Sequence, residues 1–125
     1  MKAISKSMLP LLMSAGLLFA TPYVALAQDA TEVAPASYQK VLLENEQVRV
    51  IKVTLKPGVT IPWHSHPNHV VYAETAGKIR LMEKDKAPMD KDITAGSAIY
   101  SPAVTHMAKN IGKTTVKLIM VEMKQ

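Results

Sequence analysis

Beyond residue 37 the chain is a series of short runs in which apolar and polar residues alternate. The clearest run extends from Val48 to Lys56 and places Ile51, Val53 and Leu55 on one face. A period of two residues is typical of a β-strand with one buried face, and the β-branched residues of this run favour the same structure. The pattern therefore predicts half-buried strands.

Turn residues such as Pro57-Gly58 and Ala76-Gly77 divide these runs, with a spacing of about 8 to 12 residues. No helical period of useful length follows the N-terminal apolar run. About eight or nine short strands therefore predict an all-β sandwich or barrel. The predicted strands occupy residues 38–43, 48–56, 59–64, 70–73, 78–82, 93–94, 98–101, 105–110 and 115–122.

Two stretches depart from the simple alternation. Pro62 lies inside the third predicted strand, and because proline has no N–H to donate to a central ladder, it predicts an edge position or a bulge. Residues 83–92 are polar, carry mixed charge and include Pro88. We predict that they form a solvated loop, since exposed charge pairs of this kind contribute little.

The first 27 residues have the pattern of a secretory signal peptide. Lys2 and Lys6 precede an apolar run from Met8 to Ala20, and Ala25-Leu26-Ala27 is a small-x-small cleavage site. The run is interrupted before it reaches the ~20 residues that a membrane span needs. Cleavage after Ala27 is therefore predicted, and the alternative is an uncleaved N-terminal anchor helix.

Removal of residues 1–27 leaves residues 28–125, the size of a single domain. Residues 28–37 show no period and are predicted to be a flexible segment, followed by one folded domain over residues 38–125. Export predicts a periplasmic or secreted protein with no membrane association after cleavage. A homodimer that covers a sheet face would add buried area, although the sequence contains no signal for one.

Composition and charge exclude several classes of protein. The formal net charge is +5, and two of these charges leave with the signal peptide. The remaining basic residues are scattered among acids, and aromatic residues make up only 5% of the chain, so a nucleic-acid surface is not expected. The absence of cysteine excludes disulfides, thiolate ligands and cysteine nucleophiles. There is also no Gly-rich phosphate loop and no Gly-x-Ser-x-Gly elbow.

Three of the four histidines lie in the stretch from Pro62 to His69, and the fourth, His106, lies on another predicted strand. His64 and His66 are two residues apart, so in a strand they point to the same face and can present two nitrogens to one point. A His-x-His pair closed by a distant third histidine is a common way to build an open metal site. The alternative is that these histidines only pack or form hydrogen bonds.

The spacing of these residues resembles the two sequence motifs of the cupins. The first motif is matched by Gly58, five residues and His64-x-His66, and the second by Gly96, five residues, Pro102, His106 and Asn110. The resemblance extends from about Leu43 to Lys124 and is to small single-domain bacterial cupins. It implies an RmlC-like double-stranded β-helix, a jelly-roll barrel. It also implies that His64, His66 and His106 are three ligands of one divalent metal.

Many cupins complete this ligand set with a glutamate, and this chain has none at the matching place. An alignment anchored on Gly77 puts Val70 there, whereas an alignment of the strand that begins at His69 puts His69 there. We prefer the second alignment, because a buried pocket that lost its carboxylate would more plausibly regain a donor. His69 is therefore the predicted fourth ligand. The second motif also lacks the glycine usual between Pro102 and His106.

A site of neutral imidazoles leaves the full charge on a divalent ion, which favours anionic ligands such as carboxylates. Imidazole donors also suit Fe, Zn, Ni and Cu better than Mn or Mg. The expected cofactor is therefore one divalent transition metal, Fe, Zn, Ni or Cu.

Three functions agree with such a site. The first is a metal-dependent enzyme that acts on a small carboxylate or diol, although the sequence places no general base beside the histidines, and Glu74 is the nearest acid. The second is a non-catalytic module that binds a metal or a small ligand. The third is a metal-free structural cupin.

Overall fold

The computed structural model describes residues 28–125, so the predicted signal peptide lies outside the described residues. No helix in this part of the chain is long and apolar enough to cross a bilayer. The elements in chain order are α1 (Ala30–Val33), β1 (Tyr38–Glu44), β2 (Val48–Leu55), β3 (Thr60–His66), β4 (His69–Ala73), β5 (Gly77–Glu83), β6 (Met89–Ile93), β7 (Ala98–Ser101), β8 (Val104–Asn110) and β9 (Val116–Met123).

The strands form two antiparallel sheets. One sheet has the order β1-β2-β9-β4-β7 and the other the order β3-β8-β5-β6. From β2 onward, each step along the chain crosses to the opposite sheet, except for the hairpin between β5 and β6. This alternation is the topology of a jelly roll, and the all-β prediction is confirmed.

The core lies between the two sheets. The predicted inward residues of β2, Ile51, Val53 and Leu55, are all buried, as are Val116 and Met120 of β9. Each fully buried aliphatic side chain contributes roughly 1.5–3 kcal/mol, so this face of β2 is a main source of stability. The period of two predicted for these strands is confirmed.

Strand β3 lies at the edge of the four-stranded sheet, and its pairing with β8 has a register shift between Ile61 and His64. The sequence predicts an edge position or a bulge at Pro62, and the structure has both. Beyond the shift, His64 is the direct partner of His106. The irregularity at Pro62 therefore sets the register of the histidines.

Residues 28–37 are folded against the barrel, which departs from the predicted flexible segment. Asp29 caps α1 by accepting a hydrogen bond from the Thr31 backbone, and Ala30 is completely buried. Asp29 also forms a salt bridge to Arg49 at 2.8 Å. A short capped turn and one ion pair produce no periodic pattern of apolar residues, so the sequence does not predict them.

The predicted solvated loop over residues 83–92 is wrong in its second half. Residues 89–92 belong to β6, which pairs with β5. Asp90 and Asp92 are exposed, whereas Lys91 and Ile93 are at least partly buried. The alternation of a strand is present here, but a lysine on the inner face conceals it.

Candidate metal centre

Three histidines meet where β3 and β8 pair. His64 and His66 share one face of β3, and His106 lies opposite His64 on β8. One ligand atom of each lies within 4.8 Å of the others. The ring centroid of His64 is 4.7 Å from that of His66 and 4.6 Å from that of His106. The structure therefore brings together the three histidines that the cupin resemblance implies.

Hydrogen bonds hold two of these rings by the nitrogen on the far side from the cluster. Nδ1 of His64 lies 2.7 Å from the carbonyl oxygen of Pro62. Nδ1 of His66 lies 2.8 Å from Oε1 of Glu122. Because these oxygens accept, each Nδ1 carries the proton and each Nε2 keeps its lone pair. In the neutral ring this is the tautomer that binds a metal through Nε2.

Burial favours the neutral form of two histidines of the cluster. It lowers the pKa of His64 to about 4 and that of His106 to about 3. The neighbouring imidazoles are a smaller cause in the same direction for both groups. A desolvated imidazolium is unfavourable, and so is one beside another. At neutral pH these two rings are therefore ready to act as donors.

His69, the predicted fourth ligand, lies beside the three histidines. It is 3% exposed, and its ring centroid is 4.9 Å from that of His66. Its Nδ1 lies 2.8 Å from the carbonyl oxygen of Pro67, which leaves Nε2 free. Within residues 28–125, however, the group of mutually close donors contains His64, His66 and His106 and does not include His69.

The prediction that no general base lies beside the histidines, with Glu74 as the nearest acid, is wrong, because Glu122 contacts His66. Glu122 is 2% exposed, accepts from His66 through Oε1, and lies 2.6 Å from Nη2 of Arg49 through Oε2. Burial alone would raise the pKa of Glu122, but hydrogen bonds from His66 and Arg49 outweigh it and the pKa is lowered. A signal did exist, because Glu122 lies two residues after the buried Met120 and so shares its face of β9.

Tyr38 is a second residue that the sequence analysis missed. Its hydroxyl oxygen lies 3.3 Å from Nε2 of His64 and 3.2 Å from Nε2 of His66. The side chain is buried, and this burial raises the pKa of the hydroxyl above its usual value. As the first residue of β1, Tyr38 has no motif that would identify it.

A cavity of about 260 Å³ between the sheets lies beside the histidine cluster. His66, His69 and His106 lie along its wall, and most of the remaining wall is aliphatic. Lys91 of β6 and Glu83 of β5 also line it. The cavity can therefore hold a small molecule that has an apolar body and a polar end.

Fold and site together define a double-stranded β-helix domain with a histidine cluster positioned to hold one metal ion. The family model described as "Cupin domain" matches residues 51–122, and the chain belongs to this family. The match contains His64, His66, His106 and Glu122, whereas Tyr38 precedes it.

Several crystal structures have a similar fold. A cupin domain from Bordetella pertussis is 27% identical, with a TM-score of 0.64, over 69% of this chain and 91% of its own. An RmlC-like cupin family protein from Methanocaldococcus jannaschii is 22% identical, with a TM-score of 0.56, over 68% of this chain and 77% of its own. No curated protein matches the chain.

Proposed function

We propose that this protein binds one divalent transition metal through His64, His66 and His106 and uses it as an enzyme on a small carboxylate-like molecule. The observation that carries this proposal is the convergence of three imidazole donors within 4.8 Å, two of which, His66 and His106, line a largely apolar cavity. His69 is proposed as a further donor because its ring lies beside that of His66 and its Nδ1 is held by the Pro67 carbonyl.

The donor set fits a first-row ion. Three neutral imidazoles with open positions are typical of catalytic sites for Zn, Fe, Ni or Cu. When bound, such an ion supplies a Lewis acid that polarises an oxygen of the substrate. The chain itself supplies the orientation, since the Pro62 carbonyl holds His64 and the Glu122 carboxylate holds His66.

The cavity supports a small anionic substrate with an apolar body. Ile79, Leu81 and Ile93 lie on its wall and exclude water from the body of a bound molecule. Lys91 provides a cation on the same wall. A carboxylate has two positive groups to approach, the metal centre and the ammonium of Lys91, whereas the Glu83 carboxylate on the same cavity is paired with Lys86.

Metal analysis tests the site. Protein loaded with Zn, Fe, Ni or Cu and then desalted is expected to retain about one ion per chain in at least one case. His64→Ala, His66→Ala and His106→Ala are each expected to lose most of it. His69→Ala is the comparison: a weaker site makes His69 a ligand, and unchanged affinity assigns no ligand role to it. Full metal retention in His106→Ala at neutral pH would overturn the proposed site.

A non-catalytic module that binds a metal or a small ligand is the second candidate. It is favoured by the state of the one buried acid at the site, because both oxygens of Glu122 are already occupied by His66 and Arg49. Incubation of the metal-loaded protein with a panel of small carboxylic acids under O₂ separates the two. Turnover that is lost in His106→Ala supports the enzyme, and tight metal without any turnover supports the binding module.

Export is proposed from the signal-peptide pattern, which predicts a mature chain that begins at Gln28 and is periplasmic or secreted. Mass spectrometry of the natural protein is expected to show Gln28 as the first residue. Retention of residues 1–27 would contradict this proposal.

A homodimer is proposed at strand β1, an edge strand of the five-stranded sheet. Val41, Leu42 and Leu43 are each exposed by two fifths or more, which is unusual for three consecutive apolar residues. Antiparallel pairing of β1 with a second copy would cover them. Light scattering is expected to give a dimer that Leu42→Lys dissociates, and a monomeric wild-type protein at high concentration would contradict this.

A further inference from the structure

The Tyr38 hydroxyl lies between two of the proposed metal donors, at 3.3 Å from Nε2 of His64 and 3.2 Å from Nε2 of His66. This position is fixed by the surrounding structure. The residue is 6% exposed, and its backbone N–H donates to the carbonyl oxygen of Ala34 at 3.0 Å. The position of the oxygen is therefore set by the fold.

Hydrogen bonding alone does not satisfy this arrangement. Both Nδ1 atoms donate elsewhere, so in the neutral imidazoles that a metal needs both Nε2 atoms are acceptors. A single hydroxyl has one proton and can donate to only one of them at a time. The two distances lie at and just beyond the long end of the range of about 2.7–3.2 Å that is usual for a hydrogen bond between nitrogen and oxygen. The Tyr38 oxygen and the two Nε2 atoms thus lie close together with one proton to share among them.

The same distances fit a shared cation. Two ligands bound to one first-row ion at about 2.0–2.1 Å lie about 2.9 Å apart at a right angle and about 3.4 Å apart at a tetrahedral angle. The distances of 3.2 and 3.3 Å from the Tyr38 oxygen to the two nitrogens lie between these limits. We propose that Tyr38 is an oxygen ligand of the metal held by His64, His66 and His106. This inference rests on the proposed metal function.

A chain of polar contacts ties the segment before Tyr38 to the same site. Asp29 pairs with Arg49, Arg49 pairs with Glu122, and Glu122 accepts from His66, with distances of 2.8, 2.6 and 2.8 Å. The backbone of residue 28 also accepts from Ser65 N at 2.7 Å. The N-terminal segment that supplies Tyr38 and the strand that supplies His66 are thereby held in one arrangement.

Spectroscopy of the metal-loaded protein tests the ligand directly. Ligation as the phenolate releases the hydroxyl proton to solvent. Wild-type protein loaded with Fe(III) or Cu(II) is then expected to show a phenolate-to-metal charge-transfer band in the visible range. Excitation in that band is expected to enhance phenolate vibrations in the Raman spectrum, a result that needs no variant. Tyr38→Phe is expected to lose the band and about tenfold or more in metal affinity.

Tyr100→Phe is the matched control, since the Tyr100 side chain also lines the cavity but is 59% exposed. It is expected to keep the band and the affinity. Circular dichroism establishes that Tyr38→Phe, which keeps the buried ring, retains the strand content.

The outcomes separate this inference from the proposed function. Stoichiometric metal in the wild type without a phenolate band, or a band that survives in Tyr38→Phe, overturns the Tyr38 ligand and leaves the histidine site standing. Tighter metal binding by Tyr38→Phe also overturns it, since the hydroxyl would then be a hydrogen-bond partner that the metal displaces. A wild-type protein that binds no metal overturns both.

Discussion

The two arginines of the chain make the same kind of bond in opposite surroundings. Arg49 pairs with Glu122, and their side chains are 17% and 3% exposed. Arg80 pairs with Asp90, and their side chains are 45% and 39% exposed. Both carboxylates accept two guanidinium nitrogen contacts. The chemistry of the pairs is therefore matched, and only their burial and their further contacts differ.

The comparison shows what gives an ion pair a role in the site. Glu122 also accepts a hydrogen bond from His66, a proposed metal ligand, and cannot turn to solvent. Arg49 is therefore needed to stabilise the buried Glu122 carboxylate that orients the His66 ring. Asp90 lies on the outside of the β5–β6 hairpin and has water as an alternative partner. A buried pair is costly to break, whereas an exposed pair is easily replaced.

The largest effect is expected from Arg49→Met. This change leaves the Glu122 charge buried with His66 as its remaining partner, and removal of one member of a buried pair typically costs about 3–5 kcal/mol. The free energy of unfolding of the metal-free protein, measured by urea denaturation at pH 7, is expected to fall by that amount. A loss no greater than that of Arg80→Met would contradict the difference between the two pairs.

The second-largest effect is expected from acid, which lowers the free energy of unfolding. Between pH 6.5 and about 4 the unfolded chain protonates histidines that stay neutral in the fold, because burial lowers the pKa of His64 to about 4 and of His106 to about 3. The unfolded state then binds more protons, so stability falls as pH falls, by up to about 1.4 kcal/mol per pH unit for each histidine.

Urea denaturation of the metal-free protein from pH 7 to pH 5 measures this slope. The lowered pKa values of Asp29 and Glu122 add their loss only at more acid pH, as pH falls from the ordinary carboxyl range toward their folded values. His106→Ala is expected to flatten the slope, and Arg80→Met is expected to keep it. A stability that stays constant between pH 7 and pH 5 would contradict the buried neutral histidines.

A smaller effect is expected from Glu122→Gln. Glutamine keeps the shape of the side chain but loses the charge that makes His66 a stronger donor, and such changes typically weaken metal binding by about 10–100-fold. Competition with a chelator at pH 7 measures this affinity. Asp90→Asn makes the same change in the exposed pair and is expected to leave the affinity unchanged. Equal affinities for both variants would remove Glu122 from the site.

The smallest effect is expected from Arg80→Met. The pair with Asp90 lies on the surface, where water replaces either partner. Urea denaturation is expected to give the wild-type stability within experimental error, and metal binding is expected to be unchanged. A loss comparable to that of Arg49→Met would show that the hairpin pair has a structural role.

Predictions from the sequence were accurate where a local pattern carried the information. The inward face of β2 and the irregular edge at Pro62 were predicted from alternation and from the missing N–H of proline. The same alternation predicts that His64 and His66 lie on one face of β3. Strand β6 was missed in the polar stretch over residues 83–92, because Lys91 on its inner face conceals the pattern.

By itself, the sequence determined most of the strand content, the inward face of β2 and the histidines that share one side of β3. It did so because alternation is a local property of an extended backbone. Only the tertiary structure decided that Tyr38, Glu122 and Arg49 meet these histidines. Such contacts depend on the order of strands in the two sheets and join residues far apart in the chain. The alternation of β9 indicates that Glu122 faces inward, but no spacing in the sequence shows which residues it meets.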